Sequence, residues 1–447
     1  MNNMVKTLVF LFATLQLLPL PANAQTSSGV VSGIIRIRDG RTDPYLQSNH
    51  VSSRSVPPPS GARQLNKFVD PSMSPASPYI PAPRILVELC VDINGGDCTL
   101  RYKARATESG TYSIPWSGNG SVTRLRVGAY PEWPDISTIW TSPTHPPNVF
   151  RVTTVGSPIV FLGYGPSVTT GMLGNRTIDV TYTATEYGNA YLTSAEVTLM
   201  HAAQSQPPSG SIVNDMKGVL ISTLESNVPL MVAGGVTPRD DIIRLAPGIT
   251  ASNPFTLAHE WGHIVMWRSF DVEYALIGGP EYFNCDSVIS PAWEDLSNEC
   301  ERASWMDGFA HMHAAMWMWT RTAPSPRIPR IFTTGTSMES HGSDQCEPNT
   351  QGHRRVMCQA RGMWDIVDRP SGDEDTLMNR DLGSVIRVLR SFPRPCILPS
   401  DNGCVGEFGT NDMNWMDYRR NHINVFGDQV YLDFIGGLND LLASNPT

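Results

Sequence analysis

The sequence is short of positive charge: 33 Lys and Arg stand against 42 Asp and Glu, a formal net charge of −9. That balance argues against nucleic acid, and against an anionic membrane surface, as the main partner. Beyond the first two dozen residues no stretch is long and apolar enough to cross a bilayer, so membrane insertion of the mature chain is not expected. No cysteine follows that first apolar run, which argues against a lipoprotein anchor. None of the eight cysteines pairs at the two-to-four-residue gap of a structural zinc knuckle. No tandem repeat stands out. Global disorder is excluded by what is present, 40% hydrophobic residues and 11 tryptophans.

The first apolar run reads as an export signal. Lys6 supplies a thin positive start, Leu8 to Leu20 is almost wholly apolar, and Ala22-Asn23-Ala24 gives a small-x-small cleavage pattern before Gln25. Residues 1–24 are therefore expected to be removed, leaving a secreted or periplasmic protein. The cysteines agree with an oxidising compartment. They fall into four near pairs, Cys90/Cys98, Cys285/Cys300, Cys346/Cys358 and Cys396/Cys404. Neighbours in sequence meet most easily because short loops cost little closure entropy, so four local disulfides are expected, each contributing about 2–3 kcal/mol.

At 447 residues the chain is too long for one ordinary core, and two domains are expected. Residues 30–38, 85–91, 99–106, 111–115, 122–129, 149–155 and 178–183 read as short strands separated by turn signals. Residues 25–184 thus predict an antiparallel β-sandwich, interrupted by a Pro/Ser-rich insertion at about 42–83. Ser109-Gly110-Thr111-Tyr112-Ser113-Ile114 resembles the hairpin of transthyretin-like, carboxypeptidase-regulatory-like modules that accompany exported peptidases. Residues 185–447 predict a mixed α/β domain with a helical C-terminal part, α+β overall. It opens with an amphipathic helix at 190–204, followed by strands at 218–223, 228–232 and 241–245. A further helix begins near Ser252-Asn253-Pro254.

That helix carries His259-Glu260-Trp261-Gly262-His263. Histidines four apart lie about 40° apart around a helix and can bind one metal ion. Glu260, one step round, is placed to accept a proton from a metal-activated water and pass it to a leaving amine. The flanking Thr256-Leu257-Ala258 and Ile264-Val265 are uncharged, as in a buried helix, and Gly262 leaves room for close packing. A catalytic zinc also takes a third protein ligand and keeps one position open.

Ser304-Trp305-Met306-Asp307-Gly308-Phe309-Ala310 supplies a candidate. Here the sequence resembles the gluzincin metallopeptidases, a branch of the zincins whose third ligand is a Glu in a Trp-x-Glu-Gly-x-Ala helix. The resemblance implies a zincin-like catalytic domain, one Zn2+ ion held by His259, His263 and Asp307, and a peptide or protein as substrate. The chain departs from the pattern twice. Asp307 stands where the family has Glu, so its helix must approach the metal by about 1–1.5 Å more. His311 stands where the family often has an acid that orients the first motif histidine, and His311 or Glu301 are the alternative third ligands. The Trp- and Met-rich remainder of this helix reads as core. Gly362-Met363-Trp364-Asp365-Ile366-Val367-Asp368 resembles a helix that follows the third ligand in some exported bacterial gluzincins.

The acidic run Asp368, Asp373, Glu374 and Asp375 lacks the EF-hand spacing; Ca2+ there has no support and a solvated loop is expected. Tyr418 and His422 are the first-ranked candidates to stabilise an oxyanion, ahead of His341 and His353, because gluzincins often supply that group from the C-terminal segment. Two rival readings remain: a pseudoenzyme that keeps the fold but not turnover, and an adhesion or glycan-binding protein acting through the sandwich. No residue pattern specifies an oligomeric state.

Overall fold

Why residues 111–119 form a strand is visible in their burial: Tyr112, Ile114 and Trp116 point inward and their neighbours outward, the period of two that the pleat imposes. The computed structural model describes residues 26–41, 79–134, 148–154, 160–169, 174–183, 186–204, 219–223, 230–233, 241–245, 254–269, 301–319, 321, 327–328, 336–338, 346, 355–368, 378, 380–392 and 415–442. The expected signal segment, residues 42–78 of the insertion, and Cys285, Cys300, Cys396 and Cys404 lie outside them.

The protein is α+β. Strand β1 (Thr26–Arg38) centres the first sheet. It pairs antiparallel with β5 (Thr111–Asn119) and with β2 (Tyr79–Pro81). It also takes two short parallel strands, β10 (Arg176–Thr177) and β11 (Val180–Tyr182). The second sheet is antiparallel, in the order β4 (Leu100–Arg105), β3 (Leu86–Ile93), β6 (Val122–Tyr130), β9 (Tyr164–Thr169). The two sheets pack face to face: a side chain at Gly118 of β5 would strike Ile93 and Leu100 of the opposite sheet. Residues 106–110 therefore carry the chain from one sheet to the other rather than closing a hairpin. Gly110 permits that turn with φ +73°.

A third sheet runs β13 (Leu230–Ala233), β14 (Asp241–Leu245), β12 (Val219–Thr223), β8 (Asn148–Thr154), β7 (Glu132–Pro134). Residues 149–155, read from the sequence as a strand of the sandwich, form a strand, β8, but it belongs here. β8 pairs parallel with β12, from Val219↔Phe150 to Thr223↔Thr154. The chain thus leaves the sandwich at β7 and returns to it at β9. Phe150 of β8 is fully buried, its ring 5.9 Å from Trp133, 5.6 Å from Tyr191 and 5.9 Å from Trp261. Tyr191 and Trp261 belong to helices α1 (Glu186–Gln204) and α2 (Pro254–Ser269). Helices α3 (Glu301–Met318) and α4 (Val356–Val367) follow, and every residue of α4 is buried. The described C-terminal part is helical, with α5 (Leu382–Arg390), α6 (Trp415–Phe426) and α7 (Gln429–Leu438). A small ladder joins β15 (Arg327–Ile328) to β16 (Thr336–Ser337). No helix among the described residues is long and apolar enough to cross a membrane.

Two of the expected disulfides are present, Cys90–Cys98 and Cys346–Cys358, with Cα atoms 5.0 and 5.5 Å apart. A buried ion pair adds a link between the strand that opens the sandwich and α1. The Arg41 guanidinium forks onto Glu196 at 2.9 and 3.0 Å, and also reaches Asp39 at 3.0 Å and Thr193 at 3.2 Å. Removing Arg41 would take the buried guanidinium away from the carboxylates of Glu196 and Asp39. Arg41→Ala is expected to cost about 3–5 kcal/mol in urea unfolding, the range for a buried pair broken from one side.

Candidate metal centre

Helix α2 is held from both sides before it presents its histidines. The Trp261 indole N–H donates to Ser194 Oγ of α1 at 3.0 Å, and its ring stands edge-on to Phe150 of β8. Those contacts set the roll of the helix, and His259 and His263 then face α3. Three ligand atoms converge there. His263 Nε2 is 3.2 Å from His259 Nε2 and 3.0 Å from Asp307 Oδ1, and His259 Nε2 is 3.5 Å from the same oxygen. Among the described residues this is the group of His, Cys, Asp or Glu ligand atoms close enough to hold a metal. A tetrahedral ion with bonds near 2.0–2.1 Å places its ligand atoms about 3.3–3.4 Å apart. The observed triangle has those dimensions, so the donor set fits such an ion in both chemistry and spacing.

Hydrogen bonding alone does not account for the triangle. A neutral imidazole carries one N–H, yet His263 Nε2 faces both an imidazole nitrogen and a carboxylate oxygen. Asp307 Oδ2 and the Nδ1 atoms of both histidines are buried without a hydrogen-bond partner among the described residues. Burial opposes ionisation of Asp307, but its contacts to His259 and His263 win and hold its carboxyl well below the usual range. Burial also opposes charge on His263, where the Asp307 carboxylate outweighs it and raises the pKa. On His259 burial dominates and pushes the ring down to about 3. Glu260 is buried beside them and coupled electrostatically to His263.

The Trp-x-Asp-Gly-x-Ala run acquires a physical reading. Trp305 is fully buried, 6.3 Å from the Tyr418 ring and 6.2 Å from Phe392. Asp307 reaches the histidines, Gly308 meets α4 at Gln359, and Ala310 meets Gly262 of α2. His311 is not part of the ligand triangle. Its Nδ1–H donates to the Asp307 carbonyl at 2.9 Å, and its ring stands edge-on to His259 at 4.6 Å. The Glu301 side chain, His341, His353 and the acidic run at 373–375 lie outside the described residues.

Tyr418 and His422 form a hydrogen-bonded pair. Both lie on α6, fully buried, and the Tyr418 hydroxyl donates to His422 Nδ1 at 3.2 Å. His422 Nε2–H donates to Asp428 at 3.0 Å, and Arg380 holds the same carboxylate. This chain of partners engages both side chains within the C-terminal helices. It has a consequence for stability. Burial, opposed by Asp428, pushes His422 from 6.5 down to about 4. An unfolded chain therefore takes up a proton here that the folded one refuses. Its contribution is fully present above about pH 6.5 and is lost as the pH falls to about 4, at most ~3 kcal/mol. His422→Gln is expected to flatten the fall in melting temperature between pH 7 and 4.5, measured in chelator so that metal loss does not intervene.

A second histidine pair went unnoticed in the sequence. His313 Nδ1–H donates to the Ala258 carbonyl at 2.8 Å, and its Nε2 meets His201 Nε2 of α1 at 2.8 Å. Positions 307, 310 and 313 fall within one broad stripe of α3, and only that spacing hints that His313 faces α2. No family model matches the sequence, and no curated protein matches it at a significant level.

Proposed function

We propose that the chain is an exported zinc-dependent peptidase in which His259, His263 and Asp307 hold the ion and Glu260 is the general base. The convergence of those three ligand atoms at 3.0–3.5 Å, on two helices with Glu260 between the histidines, carries the reading. Zinc, when bound, supplies a Lewis acid that polarises a carbonyl and acidifies water towards a pKa of about 7. The rest falls to the protein. Asp307 contributes the one anionic ligand, and its contacts keep it ionised at neutral pH. Two imidazoles and a single carboxylate leave the site with net positive charge once loaded, which favours attack on a neutral amide. Glu260 takes a proton from the attacking water on its carboxylate and returns it to the leaving nitrogen. The burial of Glu260 keeps bulk water from competing for that proton. The resemblance to the gluzincins, and the signal-like N-terminus, favour a peptide substrate outside the cytoplasm.

The test is made on the purified mature chain. One zinc per chain is expected, with cleavage of a mixed peptide library that chelation abolishes and added Zn2+ restores. Cleavage that survives chelation would remove the metal from the reaction. Zinc without cleavage of any peptide would favour the pseudoenzyme.

A further inference from the structure

We infer that Gly262 is what allows an aspartate to act as the third ligand, by holding α2 and α3 closer together than any side chain at position 262 would permit. The inference rests on the metal-site reading above. A Cβ built on Gly262 would lie 2.8 Å from the Cα of Ala310 and 3.1 Å from the Cβ of His313. The nearest of these atoms is backbone, so the contact is relieved only by moving one helix away from the other. His313 ties the helices together one turn earlier, through its bond to the Ala258 carbonyl. Behind α3, a Cβ on Gly308 would lie 2.4 Å from the Cβ of Gln359 and 2.9 Å from the backbone N of Ala360. The third helix is thus wedged between α2 and α4 at two glycines, and Asp307 sits on the same turn, one residue before the α4 contact and three before the α2 contact. A carboxylate shorter by one methylene reaches the histidines because the wedge supplies the missing distance, about 1–1.5 Å.

The consequence is a coupling between positions 262 and 307. With Gly262 in place, a glutamate at 307 has one methylene too many and overruns the ligand triangle. With alanine at 262 the helices part, an aspartate falls short, and a glutamate spans the gap. Metal–ligand distances tolerate about ±0.2 Å, so either mismatch is felt.

The experiment measures Zn2+ affinity by chelator competition for wild type, Gly262→Ala, Asp307→Glu and the double variant, with circular dichroism confirming the fold. Each single change is expected to weaken binding by ~10²-fold, and the double variant to return to within ~10-fold of wild type. Gly308→Ala is the control. It presses α3 from the opposite side, and its loss is not expected to be rescued by glutamate at 307. Asp307→Glu binding as tightly as wild type, or a double variant as weak as the product of the singles, would overturn the inference. Should Gly262→Ala fail to fold, the Asp307→Glu arm decides alone, because only a spacing mismatch makes the longer acid the poorer ligand. Wild type that binds no zinc would instead sink the metal-site reading, a separate result.

Discussion

Glu260→Gln is expected to lower kcat/KM for peptide cleavage by ~10²–10⁴-fold, the span attributed to a positioned general base, while zinc stoichiometry stays at that of wild type. The substitution keeps the shape of the side chain and removes only its capacity to accept and return a proton. Glu260 is buried, so an isosteric amide disturbs packing least. It is not one of the converging ligand atoms. Its charge also raises the proton affinity of His263, so neutralising it lessens the competition between protons and metal for that nitrogen. Retained zinc with lost turnover is therefore the specific signature. Loss of both together would make Glu260 a structural partner of the helix, and unchanged cleavage would place the base on another side chain.

Much of this architecture was legible because local periodicity and local chemistry carry it. The alternation of Tyr112, Ile114 and Trp116 marks β5 without any knowledge of its partner. The uncharged flanks of His259 and His263 announce a helix buried on most sides, and its described side chains are mostly buried. Cys90/Cys98 and Cys346/Cys358 were readable as pairs because the loops between them are short. What alternation does not encode is which sheet a strand joins. Phe150 and Val152 say that β8 buries one face, but the partner that decides its place, β12, begins at Val219. The domain division at 184 therefore cuts across a sheet, and a fragment ending there would strip β8 from β12. The same limit explains His313 and His201, joined across 112 residues.

Tyr418 and His422 teach the opposite lesson. Reactive side-chain types in a C-terminal segment say nothing about direction. The spacing of Trp415, Tyr418 and His422, three and then four residues apart, is that of one buried helical stripe, and all three are buried. Weighed by periodicity rather than by chemistry, they belong to the core. At Asp307 chemistry and periodicity agree, and the structure brings that residue to the histidines.

Asp307→Asn is expected to weaken Zn2+ binding by at least ~10³-fold, well beyond the ~10–100-fold typical of residues that only support a ligand. The amide has the same shape but no charge, and the remaining donors are two neutral imidazoles. Removing the carboxylate also takes away the group that raises His263, which lessens proton competition there, but the loss of the triangle's one anionic ligand outweighs that gain. His311→Asn supplies the contrast. Its ring stands beside His259 and its Nδ1–H is spent on the Asp307 carbonyl, so it braces the turn that carries the ligand. Its loss is expected to fall within the supporting range, ~10–100-fold, and to act through the position of Asp307. Chelator competition on the two variants ranks them directly. If His311→Asn proved the more damaging, with Asp307→Asn near wild type, the third ligand would be the imidazole one turn further along α3.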